Sequence, residues 1–194
     1  MIRIFDVLFS CAGLLILSPI FLILMLIIPL DSMGPVFFLQ IRVGENGMDF
    51  LLIKFRTMVT GAEQEGGLTV GAQDSRITKV GYFLRKYKLD ELPQLINVLK
   101  GDMSLVGPRP ELRKYVELYS DEQKKVLTVR PGITDWASIE YINENEILGK
   151  SSDPEKTYIE EVLPAKIELN MRFINRPTLS HYFLILGKTI KQLW

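Results

Sequence analysis

From Val7 to Leu30 the chain carries no charged side chain. At about 1.5 Å per residue a straight helix of this run would reach roughly 36 Å, enough to cross a bilayer. A soluble core helix is seldom this uniformly apolar. A cleavable signal would be shorter and followed by a small-residue cleavage site, which this run is not. The run also accounts for much of the 47% hydrophobic content of a 194-residue chain that is otherwise of one-domain size. Ser18-Pro19 sits at its middle. Pro19 removes one N–H and disturbs the carbonyl one turn earlier. In lipid that loss has to be repaired locally, and the Ser18 hydroxyl is placed to bond a carbonyl of the preceding turn. A break there would leave two arms, each too short to cross alone. The residues leave both topologies open: one spanning helix, or a re-entrant pair of arms broken at Ser18-Pro19. Arg3 and Asp6 precede the run, and Asp31, Arg42 and Lys54 follow it, a weak lean toward a cytoplasmic remainder.

Outside this run the chain is polar and balanced. Lys plus Arg and Asp plus Glu both number 23, so no global field favours nucleic acid. The one cysteine, Cys11, excludes an internal disulfide and suits a reducing compartment. Val36–Val43 and Phe50–Arg56 read as strands of a short hairpin around Asn46-Gly47. The hairpin ends at Lys54, Arg56 and Thr57, side chains suited to phosphate. Residues 59–74 hold Gly61, Gly66, Gly67 and Gly71 and read as a loop or lid. Residues 111–127 read as a helix, as does Glu155–Phe173 with an interruption at Pro164. Leu179–Trp194 sets apolar side chains against Lys188 and Lys191, as in a helix lying at a membrane surface or one docked on the domain core. His181, the only histidine, reads as structural or solvated.

The chemistry concentrates in Leu89–Leu99. Leu92, Leu95, Ile96 and Leu99 share one helix face. Pro93 is tolerated only near a helix start, which places Asp90 and Glu91 at the first turn, where anions are favoured. Arg85, Lys86 and Lys88 precede the pair and Arg109 follows. Pro108 and Pro110 stiffen the backbone around Arg109, so presenting that arginine to a ligand costs little ordering entropy. Arg130 sits in a second Pro-Gly loop. Carboxylates among cations suit a metal ion and phosphate. No Gly-x-x-x-x-Gly-Lys-Ser/Thr loop, Gly-x-Gly-x-x-Gly fingerprint or Cys/His cluster occurs, against an NTPase, a Rossmann dehydrogenase or a zinc site.

Four segments appear in one order: Lys54-Phe55-Arg56-Thr57-Met58, Leu89–Gln94, Gly101–Pro110 and Arg130-Pro131-Gly132-Ile133-Thr134. Together, behind an apolar run with a central Ser-Pro, they resemble the bacterial sugar transferase family of small monotopic phosphoglycosyl transferases. The resemblance covers nearly the whole chain. It implies an α+β, mostly helical fold: an N-terminal re-entrant membrane helix (residues 1–32, helix–break–helix at Ser18-Pro19), then a membrane-associated catalytic domain (residues 33–194) with a short β-hairpin and amphipathic interfacial helices. It implies transfer of sugar-1-phosphate from a UDP-sugar to polyprenyl (undecaprenyl) phosphate at the cytoplasmic face of the bacterial inner membrane, beginning glycan assembly. It makes Asp90 the nucleophile and Glu91 a ligand of Mg²⁺, with Asp90 beside it. Further copies of the chain and downstream glycosyltransferases are candidate partners; nucleic acid is not.

The residues agree with that chemistry. A carboxylate can attack phosphorus and split one hard step into two. The anionic donor must be neutralised by metal and arginine. Attack by Asp90 on the β-phosphate would expel UMP. Arg109 and Arg85 are the first candidates for phosphate contacts; Lys54, Arg56 and Arg130 come second. Two rivals stand beside this reading: direct attack by polyprenyl phosphate without a covalent intermediate, and an inactive membrane-anchored scaffold. The chain departs from the family's usual pattern in Thr134-Asp135-Trp136-Ala137-Ser138, in Glu140–Asn143 where a Gly-Arg is usual, and at Asn170 and His181, where Asp is often found.

Overall fold

The computed structural model describes residues 1–62 and 74–193. Most of the glycine-rich loop read at 59–74 lies outside the described residues, as does Trp194. The fold is mostly helical, with two small two-stranded sheets.

Helix α1 spans Ile2–Asp31, with Pro19 and Pro29 inside it. Where a break between two arms was expected at Ser18-Pro19, the helical hydrogen bonding runs on. The reason is local. Pro19 has no N–H for the carbonyl of Leu15, and the Ser18 hydroxyl donates to that same oxygen at 2.8 Å. One helix among the described residues, α1, is long and apolar enough to cross a membrane. Leu15, Ile16, Leu22 and Leu26 are each more than 60% exposed.

Both ends of α1 nevertheless engage the rest of the chain. Near its start, Asp6 is buried and its Oδ1 accepts from Ser104 Oγ (3.0 Å), Leu105 N–H (3.0 Å) and Tyr182 O–H (2.8 Å). Arg3 donates to the carbonyls of Val98 and Leu99. Near its end, Leu24 and Ile28 pack with Phe55 and Leu84. Asp31 Oδ2 accepts the Val80 N–H at 2.9 Å.

Strands β1 (Phe37–Val43) and β2 (Asp49–Phe55) form the expected antiparallel hairpin, with Phe38 opposite Lys54 and Arg42 opposite Phe50. Asn46 (φ 56°) and Gly47 (φ 73°) take the left-handed backbone of the turn, as an Asn-Gly pair readily does. Helix α2 (Lys79–Lys86) is capped by Thr78. It lies so close to Thr57 that a Cβ at Gly81 would strike the Thr57 carbonyl. Helix α3 (Gln94–Lys100) stops at Gly101 (φ 97°).

Strands β3 (Ser104–Val106) and β4 (Gly132–Thr134) pair in parallel. Neither was expected as a strand, because three residues between Gly and Pro turns are too few to show a period. The helix expected over 111–127 divides into α4 (Arg113–Val116) and a 3₁₀ turn, Gln123–Thr128. The division falls at Ser120. Its N–H donates to Gln123 Oε1 at 2.9 Å, and the Gln123 N–H donates to Ser120 Oγ at 3.2 Å, a capping box that starts a new turn. Four helices follow: α5 (Trp136–Glu140), α6 (Glu144–Gly149), α7 (Pro154–Thr157) and, after a π turn at Tyr158–Val162, α8 (Leu163–Ile174). The π turn is the irregularity anticipated at Pro164. Helix α9 (Leu179–Leu193) docks one face on the domain and leaves another exposed. Tyr182 and Ile185 are fully buried, while Phe183, Leu184 and Ile190 are exposed.

Candidate active site

Asp90 and Glu91 sit in a 3₁₀ turn, Leu89–Glu91, entered through Lys88 in a left-handed conformation (φ 55°). The α-helix begins only at Gln94, later than the sequence reading placed it. Pro93 has no N–H to continue the ladder from the 3₁₀ turn, so turn and helix stay separate. The carboxylates are therefore positioned by packing and ion pairs, not by a long helix end.

The two neighbours have opposite surroundings. Glu91 is gripped: Lys54 Nζ lies 3.0 Å from Oε1, Arg109 Nη2 lies 2.5 Å from the same oxygen, and Arg109 Nη1 lies 3.3 Å from Oε2. Burial acts to raise the Glu91 pKa. The charges and hydrogen bonds of Arg109 and Lys54 outweigh it and hold the carboxyl well below the usual range. In return Glu91 raises the pKa of Arg109, while burial lowers that of Lys54. Asp90 is also buried, but among the described residues its carboxylate makes no hydrogen bond. Burial and then the adjacent Glu91 charge raise its pKa, against the pull of Lys54, Arg85 and Lys88. One carboxylate is a fixed structural anion; the other is left free.

Asp90 lines a cavity of about 180 Å³ whose wall also holds Arg42, Lys54, Arg56, Arg76 and Arg85. Their partners rank these cations. Arg42 is engaged with Gln40, the Pro110 carbonyl and, at 3.6 Å, Glu111. Arg76 pairs with Asp74 at 2.6 Å. Among the described residues Arg85 forms no ion pair; its Nε donates to Thr57 Oγ1 at 2.9 Å. Arg85 thus faces the cavity with charge to spare. Arg56, expected to meet phosphate, is buried and donates four hydrogen bonds to the connection after α1: to the Ser32, Met33 and Pro35 carbonyls and the Ser32 hydroxyl. It clamps α1 to the hairpin. Arg130 is placed apart from the acidic pair, against Glu45 of the hairpin turn at 3.4 Å, and lines neither of the two larger cavities.

Arg109 reaches Glu91 because its loop is held from behind. Gly107 and Gly132 meet face to face, and a Cβ on either would strike the other's loop backbone. Asp135 Oδ2 accepts the Arg109 N–H at 3.0 Å, and Asn170 Nδ2 donates to that oxygen at 2.7 Å. Two of the cavity cations, Arg42 and Arg76, were not foreseen. Arg42 was findable: alternation along β1 puts Phe38, Gln40 and Arg42 on the face that Lys54 shares. Arg76 and Asp135 carried no local signal.

Among the described residues no cluster of three or more His, Cys, Asp or Glu side chains converges. Mg²⁺ bound through substrate phosphates and water needs only one or two carboxylates. Asp90, without a hydrogen bond, and Glu91 Oε2, with only the 3.3 Å contact, fit that reduced set.

A carboxylate without a hydrogen bond among the described residues thus lies in a cation-lined cavity, on a domain that holds both ends of a long apolar helix. The family model described as "Bacterial sugar transferase" matches residues 1–194, and the chain belongs to that family. It is 40% identical over 191 residues to the UDP-N-acetylgalactosamine-undecaprenyl-phosphate N-acetylgalactosaminephosphotransferase of Aeromonas hydrophila, covering 97% of this chain and 42% of that protein. It is 44% identical over 142 residues to the UDP-glucose:undecaprenyl-phosphate glucose-1-phosphate transferase of Escherichia coli, covering 69% and 30%. It is 42% identical over 144 residues to the undecaprenyl-phosphate glucose phosphotransferase of Komagataeibacter xylinus, covering 71% and 27%. The chain thus spans less than half the length of these relatives.

Proposed function

We propose that this protein transfers a sugar-1-phosphate from a UDP-sugar to polyprenyl phosphate through a covalent intermediate on Asp90. The observation that carries this reading is the contrast within the pair: Glu91 locked between Lys54 and Arg109, Asp90 unbonded in a cavity with Arg85. In the first step an Asp90 carboxylate oxygen bonds the donor's β-phosphorus. The bond from that phosphorus to the bridging oxygen breaks, and UMP leaves with the electron pair. In the second step an oxygen of the acceptor phosphate attacks the same phosphorus and Asp90 returns to a carboxylate. Because Asp90 stores the group, one site serves a soluble donor and a lipid acceptor in turn. Arg85 and Arg109 meet the charge of the phosphates. Asp90 and Glu91 would hold Mg²⁺, which supplies charge neutralisation to the diphosphate. Relatives named for different sugars match at similar identity, so the shared chemistry is that of the phosphates.

The membrane reading rests on α1. A straight helix of 30 residues spans about 45 Å. Asp6 near its start and Asp31 at its end both bond the same domain. A helix crossing the bilayer would send one end to the far side, so this arrangement favours entry and exit on one face. The flanking cations support a cytoplasmic face, and the named acceptor of the relatives supports the bacterial inner membrane.

The test uses the full chain in nanodiscs with UDP-sugars labelled at the β-phosphate and no acceptor. Wild type should release UMP and keep the label; Asp90→Asn should do neither. Full turnover by Asp90→Asn would remove Asp90 from the nucleophile role. UMP release only when acceptor is present would favour direct attack.

A further inference from the structure

A second, larger cavity of about 390 Å³ meets the acidic pair from the other side, bordered there by Lys88, Glu91 and Arg109. Its volume is that of a ligand pocket. Its remaining wall is dominated by Leu92, Leu95, Ile133, Ile139, Ile142 and Leu186. Part of that wall's polarity is spent within the protein. Thr134 and Thr189 share a hydroxyl–hydroxyl bond at 2.7 Å, Gln192 Nε2 donates to the Ile139 carbonyl at 2.9 Å, and Lys166 Nζ donates to Glu144 at 2.8 Å. Ser138, Tyr141 and Asn145 also line the wall, with no side-chain hydrogen bond among the described residues, but aliphatic side chains supply most of its surface. The apolar wall is also continuous with the lipid-facing part of the chain. Leu95 Cδ1 lies 3.2 Å from where a Cβ at Gly13 of α1 would sit. Leu95, Leu105, Ile133, Ile139 and Leu186 belong to one cluster with Ile2 and Phe5 of α1.

We infer that this cavity holds the phosphate-proximal isoprene units of the lipid acceptor, with Arg109 and Lys88 at the phosphate end. The cation-lined cavity around Asp90 is then left to the donor's phosphates, and the acceptor phosphate, held at Arg109 and Lys88, enters where UMP has left. This assignment rests on the transfer reading above and adds where the acceptor's chain lies.

The experiment fills the cavity. Ile142, 45% exposed, marks its rim, so Ile142→Trp adds bulk without disturbing a packed core; Ile139→Phe is the second variant. Both should raise KM for undecaprenyl phosphate roughly tenfold or more. KM for the UDP-sugar and for dimethylallyl phosphate, with its single isoprene unit, should stay within about twofold. A matching rise in donor KM would hand the cavity to the nucleotide and overturn the assignment. Equal effects on the long and short acceptors, or none, would overturn it too. A prenyl phosphate bearing a benzophenone on its second isoprene tests the site without turnover. Adducts at Ile139, Ile142 or Leu186 support the assignment even if no sugar phosphate is transferred, and adducts confined to α1 and α2 defeat it. Absence of transfer by wild type with every UDP-sugar would instead count against the transfer reading alone.

Discussion

Glu91 and Arg109 form a two-pronged ion pair, Oε1 to Nη2 at 2.5 Å and Oε2 to Nη1 at 3.3 Å. It ties the Arg109 loop to the residue beside the proposed nucleophile. Only a guanidinium offers two parallel donors to one carboxylate. Arg109→Lys should therefore lower kcat roughly a hundredfold or more while keeping the charge. Glu91→Gln should leave Arg109 and Lys54 partly unpaired in a buried site, at a cost of about 3 kcal/mol in denaturant titration, and stop turnover. Wild-type kcat in Arg109→Lys would show that the fork is dispensable.

Asp90 and Glu91 should respond oppositely to pH. The folded-state pKa of Asp90 is raised, chiefly by burial. Its contribution to stability is full below the unfolded pKa and is lost as pH rises through the folded value. At neutral pH the ionised group opposes folding, so Asp90→Asn should raise Tm by a few degrees while abolishing activity. That gain should vanish below the ordinary aspartate range. The Glu91 pKa is depressed, so its stabilising contribution is present above the unfolded value and lost only as pH falls through the lower folded one. Thermal melts of wild type, Asp90→Asn and Glu91→Gln from acid to neutral pH check both signs. A lower Tm for Asp90→Asn at neutral pH would contradict the first.

The same raised pKa bears on rate. Asp90 attacks as a carboxylate, so acceptor-free UMP release should fall on acidification with an apparent pKa above the free-aspartate value of about 3.9. A pH profile of the single-turnover rate measures it. An acid limb at or below the free value would mean that the reacting group is less buried than Asp90.

Arg85 and Arg56 separate function from architecture. Arg85→Ala removes from the Asp90 cavity a cation that forms no ion pair among the described residues, so KM for the UDP-sugar should rise roughly tenfold or more with Tm little changed. Arg56→Ala frees the carbonyls of Ser32, Met33 and Pro35 together, so its main effect should be a loss of about 2–4 kcal/mol in stability. An exchange of the two phenotypes in donor titration and melts would reverse the roles drawn from their partners.

The Ser18 hydroxyl supplies the hydrogen bond that Pro19 cannot. Ser18→Ala should cost about 1 kcal/mol alone, and far less in a Pro19→Ala background, where the backbone N–H returns. Equal costs in the two backgrounds would show that Ser18 does not serve the Leu15 carbonyl.

Much of this was legible in advance where a local rule decided the outcome. The charge-free run forced a long apolar helix, Asn46-Gly47 fixed the hairpin turn, and Gly101 ended α3. Lys54, Arg85 and Arg109 fell around the acidic pair as their spacing suggested. What failed depended on partners far along the chain. Arg56 has the composition of a phosphate ligand, yet residues 21 to 24 positions earlier claim its donors. The β3–β4 pairing exists because Gly107 and Gly132 permit contact, which neither three-residue strand announces. The Ser18 hydroxyl bond to the preceding turn, by contrast, was legible locally and is present.

The position of Asp6 has a consequence for biosynthesis. Its hydrogen-bond donors lie 98, 99 and 176 residues later in the chain. Helix α1 leaves the ribosome well before Tyr182 is made. Until then the Asp6 carboxylate lacks part of its donor set, which is complete only once α9 exists. Final seating of the helix is therefore postponed until Tyr182 has been made. A chain truncated before Tyr182 keeps every residue of its apolar run and lacks one of the three bonds that fasten the run's start to the domain.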